Sequence, residues 1–375
     1  MRIAASHHRL AVLPVVALAA AIALHCATDG PTAPPRPPSY DTAFTITWPF
    51  FSHDGAKVYF LGQLFGIDGS GIYEVDTAGG KARLLMRDSL VKRDPKLSPD
   101  GTRICYRAGT IFRVDCCAQL YITNTDGSGT FNLTPWSGQL NDQRWSPDGS
   151  SILAAGPVED SGQVHTQIFR INSDGSGWKL LTGGLAGHGL PRWDADGANI
   201  FFGMRHPSNE LGGIIAVMNA DGSGQRLIDS TLHEASTPRP SPARKELGLL
   251  FRMEATSEVG GYLLSYDSLQ LPAGEGSFHK VVNDFPYASE WSPDGNFIGQ
   301  LREGPSWSLT NDLYVVRRDN WSMTRLTQYY RISWWDWSPD SRFIVFLSFA
   351  QAEERAGVFI VDVSSGRIRK LTIQR

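Results

Sequence analysis

Nine histidines are spread along a 375-residue chain, and five of them fall in one half: His165, His188, His206, His233 and His279. His188 and His233 hold roughly equivalent places, each just ahead of a strand-like run and offset by two residues. A divalent metal needs several such ligands converging within bonding distance. Two readings therefore stand for these histidines, a metal or ligand site at His188 and His233, or solvated and structural side chains. A second cluster is aromatic, Tyr329-Tyr330-Arg331-Ile332-Ser333-Trp334-Trp335-Asp336-Trp337. Exposed Tyr and Trp are the side chains that dominate binding hot spots, which makes Tyr329, Tyr330 and Trp334 binding candidates. Packing between structural units is the other reading of the same residues. Trp337 and Trp335 share one face of an alternating strand, and Trp334 and Asp336 the other.

Other chemistry is thinly supported. The chain has no Gly-x-Ser-x-Gly elbow, no Gly-x-x-x-x-Gly-Lys phosphate loop and no His-Glu-x-x-His, since His233-Glu234 lacks the second His. Asp126-Gly127-Ser128-Gly129 returns as Asp174-Gly175-Ser176-Gly177 and Asp221-Gly222-Ser223-Gly224. These stretches lack the further spaced carboxylates of a calcium loop and read as hairpin turns. No catalytic residue, metal or cofactor is expected.

The elements that must position these groups come from a repeat. Ser52-His53-Asp54-Gly55, Ser98-Pro99-Asp100-Gly101, Ser146-Pro147-Asp148-Gly149, Asp194-Ala195-Asp196-Gly197, Ser292-Pro293-Asp294-Gly295 and Ser338-Pro339-Asp340-Ser341 recur about every 46–49 residues. A degenerate copy, Ser241-Pro242-Ala243-Arg244, fills the one double step. Ser, Pro and Gly at these places suit a type I turn. Before each turn stands an apolar residue, at Phe51, Leu97, Trp145, Trp193, Trp291 and Trp337. After it comes an alternating run such as Arg103-Ile104-Cys105-Tyr106 or Phe343-Ile344-Val345-Phe346. A third strand follows, such as Gln119-Leu120-Tyr121-Ile122-Thr123, and a short fourth, such as Arg325-Leu326-Thr327.

Four short antiparallel strands per unit, repeated at this period, make propeller blades, because one blade cannot bury both of its faces. The fold class expected is all-β, a single β-propeller of seven four-stranded blades over 41–375. Trp145, Trp193, Trp291 and Trp337 are expected at equivalent inter-blade positions. Trp-Ser-Pro-Asp-Gly, an Ile-x-Phe strand, Leu-Tyr-Val, Asp-Gly-Ser-Gly and Arg-Leu-Thr together resemble the TolB-type propeller repeat of bacterial envelope proteins. The resemblance covers nearly all of the chain after residue 41. It implies the fold and leaves function open, since similar repeats serve partner-binding periplasmic proteins, propeller domains of prolyl-oligopeptidase-like peptidases and oligogalacturonide-lyase-like propellers. The repeat runs to the last residues, so no hydrolase domain is expected, which sets aside the peptidase reading.

Residues 1–26 read as a secretion signal. Arg2, His7, His8 and Arg9 precede an uncharged apolar run from Leu10 to Leu24, short for a membrane span. Cys26 follows, then a Pro-rich stretch over 27–40. This order resembles a bacterial lipoprotein, with Cys26 as the lipidated residue and the linker as a spacer. His25 departs from the small residue usual before such a Cys, and ordinary cleavage after Ala23 or Ala27 is the alternative. Cys105, Cys116 and Cys117 allow a bridge from Cys105 to either neighbour, or buried thiols. A net charge of −3 carries no nucleic-acid signal.

The expected function is a non-catalytic, exported binding or scaffold protein on the periplasmic side of a bacterial membrane. Its partner would be an envelope protein, a peptide or a glycan, and it would touch the membrane only through a lipid anchor. The competing class is a metal-dependent, oligogalacturonide-lyase-like propeller using channel histidines. Replacement of Cys26 tests the anchor: Cys26→Ser should move the protein from the membrane to the soluble periplasmic fraction, and unchanged membrane association would count against lipidation.

Overall fold

A short alternating strand between tight turns hides only part of its surface within its own sheet, so each sheet must pack against another. The computed structural model meets this need radially. It describes residues 44–64, 69–110, 118–135, 139–184, 186–205, 213–228, 238–252, 259–266, 279–282, 289–303, 311–349 and 356–374. Cys26, the signal and the linker lie outside the described residues. So do Cys116, Cys117, His206 and His233. Seven four-stranded antiparallel sheets follow one another as the blades of a β-propeller, each built from strands in sequence order, with the short Gly80–Lys81 strand left out of blade 1. Among the described residues there is no helix.

The innermost strands are Phe44–Phe51, Val91–Leu97, Asn141–Trp145, His188–Trp193, Arg239–Pro240, Ser289–Trp291 and Ile332–Trp337, for blades 1 to 7 in order. Each runs into the repeated turn and pairs antiparallel with the strand after it, as in Trp145↔Ile152 and Trp337↔Ile344. The core lies between blades. Cys105, Leu120 and Leu133 of blade 2 pack on Leu140, Ile152 and Phe169 of blade 3. Leu153 and Ile168 of blade 3 pack on Ile200 and Phe202 of blade 4. Cys105 is a free thiol in this apolar layer, and burial pushes its pKa up. The partners considered for a bridge, Cys116 and Cys117, lie outside the described residues.

The turn chemistry explains the motif. The Ser98 hydroxyl donates to Asp100 Oδ1 at 2.6 Å and accepts the Arg103 N–H at 2.9 Å, while the Gly101 N–H closes the turn on the Ser98 carbonyl. Gly101 has φ +71°, and a Cβ there would stand 2.3 Å from the His53 side chain of the preceding turn. Small size at this place thus lets successive turns touch. In blade 7 Ser341 takes the glycine's place at φ 60°, and its hydroxyl accepts the Asp294 N–H of blade 6 at 3.1 Å. The degenerate turn of blade 5 contributes Lys245, which reaches Asp194 at 3.1 Å and Asp196 at 2.5 Å in the turn of blade 4. The Asp-Gly-Ser-Gly stretches are hairpin turns: Asp126 accepts both the hydroxyl and the N–H of Ser128, at 2.6 and 2.8 Å.

The repeated tryptophans do more than fill space. Trp145 Nε1 donates to the Lys96 carbonyl at 2.9 Å, Trp291 Nε1 to the Arg239 carbonyl at 3.0 Å, and Trp337 Nε1 to the Glu290 carbonyl at 3.4 Å. Each bond crosses to the inner strand of the blade before. Trp193 holds the same place without such a partner among the described residues, and the Arg170 guanidinium lies over its ring.

Blade 7 meets blade 1 through Val345, Leu347, Val358 and Ile360 against Phe51, Val58 and Phe60. A two-residue strand, Ile373–Gln374, then pairs parallel with Gly80–Lys81 at the edge of blade 1. The Ala82 N–H donates to the Gln374 carbonyl at 2.7 Å.

Trp291 is buried and bonded across its blade junction, so Trp291→Ala should cost about 3–5 kcal/mol in urea unfolding. Trp178, half-exposed on blade 3, is the control, and its replacement by Ala should cost clearly less. Equal losses would contradict the clamp.

Candidate functional site

Inner strands present alternate side chains to the lumen and to the blade junction. With the tryptophan committed to the junction, the residue before it must face the lumen. From blade 1 to blade 7 these residues are Phe50, Lys96, Arg144, Arg192, Arg239, Glu290 and Asp336. Four successive blades thus offer a cation and the next two a carboxylate. A β-bulge precedes this position in blades 1 to 4, where the register shifts and Trp48, Asp94, Asp142 and Leu190 take φ near +50°. Bulges re-aim side chains beside functional sites, and αL geometry is uncommon for Trp and Leu.

Two cavities open off the lumen on the side of the repeated turns. The first, of 510 Å³, is walled by Trp48, Phe50, Lys96, Trp334, Trp335 and Asp336. The second, of 410 Å³, is lined by Arg144, Arg192, Arg239, Glu290 and the four repeated positions Trp145, Trp193, Trp291 and Trp337. Asp336, Trp337 and Pro293 border both, so they are two lobes of one space.

The charges pair unevenly. Lys96 holds Asp94 at 3.0 Å, and Arg239 holds Glu290 at 3.3 Å. The Arg144 and Arg192 guanidinium groups each donate to the carbonyl of the residue before them, at 2.9 Å. Neither forms an ion pair among the described residues. Burial, reinforced by Arg144, brings the Arg192 pKa down to about 9. Burial would raise the Glu290 carboxyl, but Arg239, Arg192, Arg144 and Lys96 together hold it below its ordinary value. Asp336 lies on the other side of the balance. Burial, with help from Glu290, lifts its pKa to about 6 against the pull of the Phe51 N–H, which bonds Oδ2 at 3.2 Å.

The residues singled out from sequence are dispersed. His188 is buried at the start of the blade 4 inner strand, with Nδ1 at 2.9 Å from Gln167 Oε1 and its ring against Phe202. Burial lowers its pKa. His233 lies outside the described residues. His165 sits in the long hairpin of blade 3 and His279 in the outer strand of blade 5. Among the described residues, no group of three or more His, Cys, Asp or Glu could hold a metal. Tyr330 is inserted between blades 6 and 7, edge-on to Phe346 and Phe359. Tyr329 is exposed beside it, under the Arg325 guanidinium, with its N–H held by the buried Asp312. Trp334 faces the lumen against Trp48, ring centroids 5.1 Å apart. The three aromatic candidates therefore do not share one surface, and only Trp334 belongs to the lumen. The charged ring went unnoticed in the sequence, although it stands one residue before every repeated Trp position.

A family model for the TolB beta propeller domain matches residues 42–244. The chain belongs to this TolB propeller family. Among solved structures it is similar to a prolyl endopeptidase, with a TM-score of 0.66 and 12% identity over 87% of this chain and 49% of that one. The β-propeller domain of the trilobed protease from Pyrococcus furiosus aligns with a TM-score of 0.61 and 10% identity, over 88% and 98% of the two chains. Oligogalacturonate lyase from Vibrio parahaemolyticus aligns with a TM-score of 0.61 and 14% identity, over 84% and 88%. The chain spans about half the length of the prolyl endopeptidase. At these identities the likeness establishes the fold alone. No curated protein sequence matches.

The chemical feature of this lumen is its charge order. Guanidinium groups that lack an ion-pair partner and face a water-filled cavity can take an anion by bidentate hydrogen bonds. Asp336 offers a direct electrostatic test. Its pKa is higher folded than unfolded, so its ionisation opposes folding above pH 6, and that cost fades as pH falls from 6 toward 4. Asp336→Asn should raise the melting temperature at pH 8, and the gain should vanish near pH 4. A gain that did not depend on pH would contradict the assignment.

Proposed function

We propose that this propeller is an exported, non-catalytic binding scaffold that docks its partner over the lumen on the face of the repeated turns. The observation that carries the reading is the convergence of Arg144, Arg192 and Arg239 from three successive blades on one 410 Å³ lobe. Buried or semi-buried like charges are costly to assemble, and a ligand that neutralises them recovers that cost. The adjoining lobe, walled by Trp48, Phe50 and Trp334, supplies apolar contact. The ring of turns around it is stiffly bonded, so little ordering remains to be done on binding. A lipid at Cys26 and the Pro-rich stretch after it would hold the propeller near a periplasmic membrane surface.

The lyase reading has less support. The likeness to an oligogalacturonate lyase extends to fold, and His188 is already engaged with Gln167 inside a blade junction. Capture from envelope extracts separates the surfaces. Arg144→Glu with Arg192→Glu should abolish recovery of the partner, and Tyr329→Ala should leave it intact, both variants retaining the wild-type melting profile. The reverse pattern would move the docking site to the rim around Tyr329. Metal-dependent cleavage of oligogalacturonate would replace binding by catalysis.

A further inference from the structure

We infer that the Arg144–Arg192 side of the lumen is a carboxylate subsite, built to take an acidic side chain of a peptide partner. The inference rests on the lumen-docking reading and names the chemistry of its ligand. The titratable groups that line this space are His53, Lys96, Arg144, Arg192, Asp194, Arg239, Glu290 and Asp336, with Asp94 and Asp142 close behind them and Asp194 already held by Lys245. Their pairing leaves a definite remainder. Asp94 takes Lys96, and Glu290 takes Arg239. Asp142 acts on Arg192 through space without closing an ion pair among the described residues. Asp336 accepts the Phe51 N–H, and Arg144 and Arg192 remain as the cations, on adjacent blades, each tied among the described residues to a neighbouring carbonyl. Those bonds fix the guanidinium planes and leave further N–H donors for a planar, two-oxygen acceptor.

Two observations favour a peptide carboxylate over that of a sugar acid. Sugar recognition uses many amide and hydroxyl partners, and Asn, Gln, Thr and Tyr are missing from the described lining of both lobes. The serines there, Ser52 and Ser98, already donate to Asp54 and Asp100 within their turns. Sugar rings also stack on free aromatic faces, whereas Trp48 and Trp334 are packed on one another at 5.1 Å. Apart from His53, the remaining uncharged lining is proline, tryptophan, phenylalanine, Leu97 and Ala195, suited to apolar peptide side chains flanking an acidic one.

The test uses the whole protein and a defined probe, fluorescein-labelled hexaglutamate, followed by fluorescence anisotropy at low and physiological salt. Hexaglutamate should bind the wild type and hexaglutamine should not. Arg144→Gln and Arg192→Gln should each weaken binding about tenfold or more while the melting temperature holds. Glu290→Gln, which removes one carboxylate charge from this space, should tighten binding several-fold, a gain that a misfolded variant could not produce. Unchanged affinity in both arginine variants, equal binding of hexaglutamine, or no binding of hexaglutamate overturns the carboxylate subsite. Stronger binding of an oligogalacturonate, lost in the same two variants, overturns the peptide assignment and leaves lumen docking standing. Loss of hexaglutamate binding in Tyr329→Ala alone overturns both.

Discussion

The bond on which this molecule depends is the one from an indole N–H to the inner strand of the blade before. Blades touch mainly through apolar side chains, and apolar contact alone sets no register between neighbouring sheets. A directional bond does. Trp145, Trp291 and Trp337 each reach back to one backbone carbonyl, and those carbonyls belong to Lys96, Arg239 and Glu290. The pinned residue is therefore the same residue whose side chain lines the lumen. Core and candidate site meet within one amino acid, its carbonyl held by the next blade and its charge presented to the cavity.

The turns add a second ring of constraint. Each Ser-Asp pair closes its own turn, and contact between turns is made where Gly101 lies against His53 or where Ser341 accepts the Asp294 N–H. In blade 5 the motif has drifted, yet Lys245 restores a link by pairing with Asp194 and Asp196. The interaction changed from hydrogen bond to ion pair while the neighbour relation was kept. Such a frame keeps the lumen side chains in place before any ligand arrives, which favours affinity because less ordering accompanies binding.

The fold was legible in the sequence because its determinants are local and repeat in register. The serine, proline, aspartate and glycine of each turn act within a few residues, and the alternating strands declare themselves by period. The site was harder to see because attention to sameness selects structural positions. The column holding Lys96, Arg144, Arg192, Arg239, Glu290 and Asp336 varies, since a side chain facing the lumen is less constrained by packing, whereas its first member, Phe50, is buried between blades 1 and 2. Its variation was the signal. The aromatic run was ambiguous for the complementary reason. Of the two readings open for Tyr330, packing is the one its surroundings match: the segment entering an inner strand passes between two blades, and an aromatic ring there is drawn into the junction. For His188 the surroundings are those of the structural reading, with Gln167 and Phe202 enclosing it.

Seven similar blades suggest an axle with no preferred rotation. The order of charges around this one denies that. Cations span blades 2 to 5 and carboxylates blades 6 and 7, with Phe50 alone in blade 1, so the electric field points across the axis as well as along it. A guest on the axis would feel a torque as well as an attraction. It could settle in one rotational setting and no other, as a key does in a round lock with a single ward, even though the scaffold around it is nearly sevenfold.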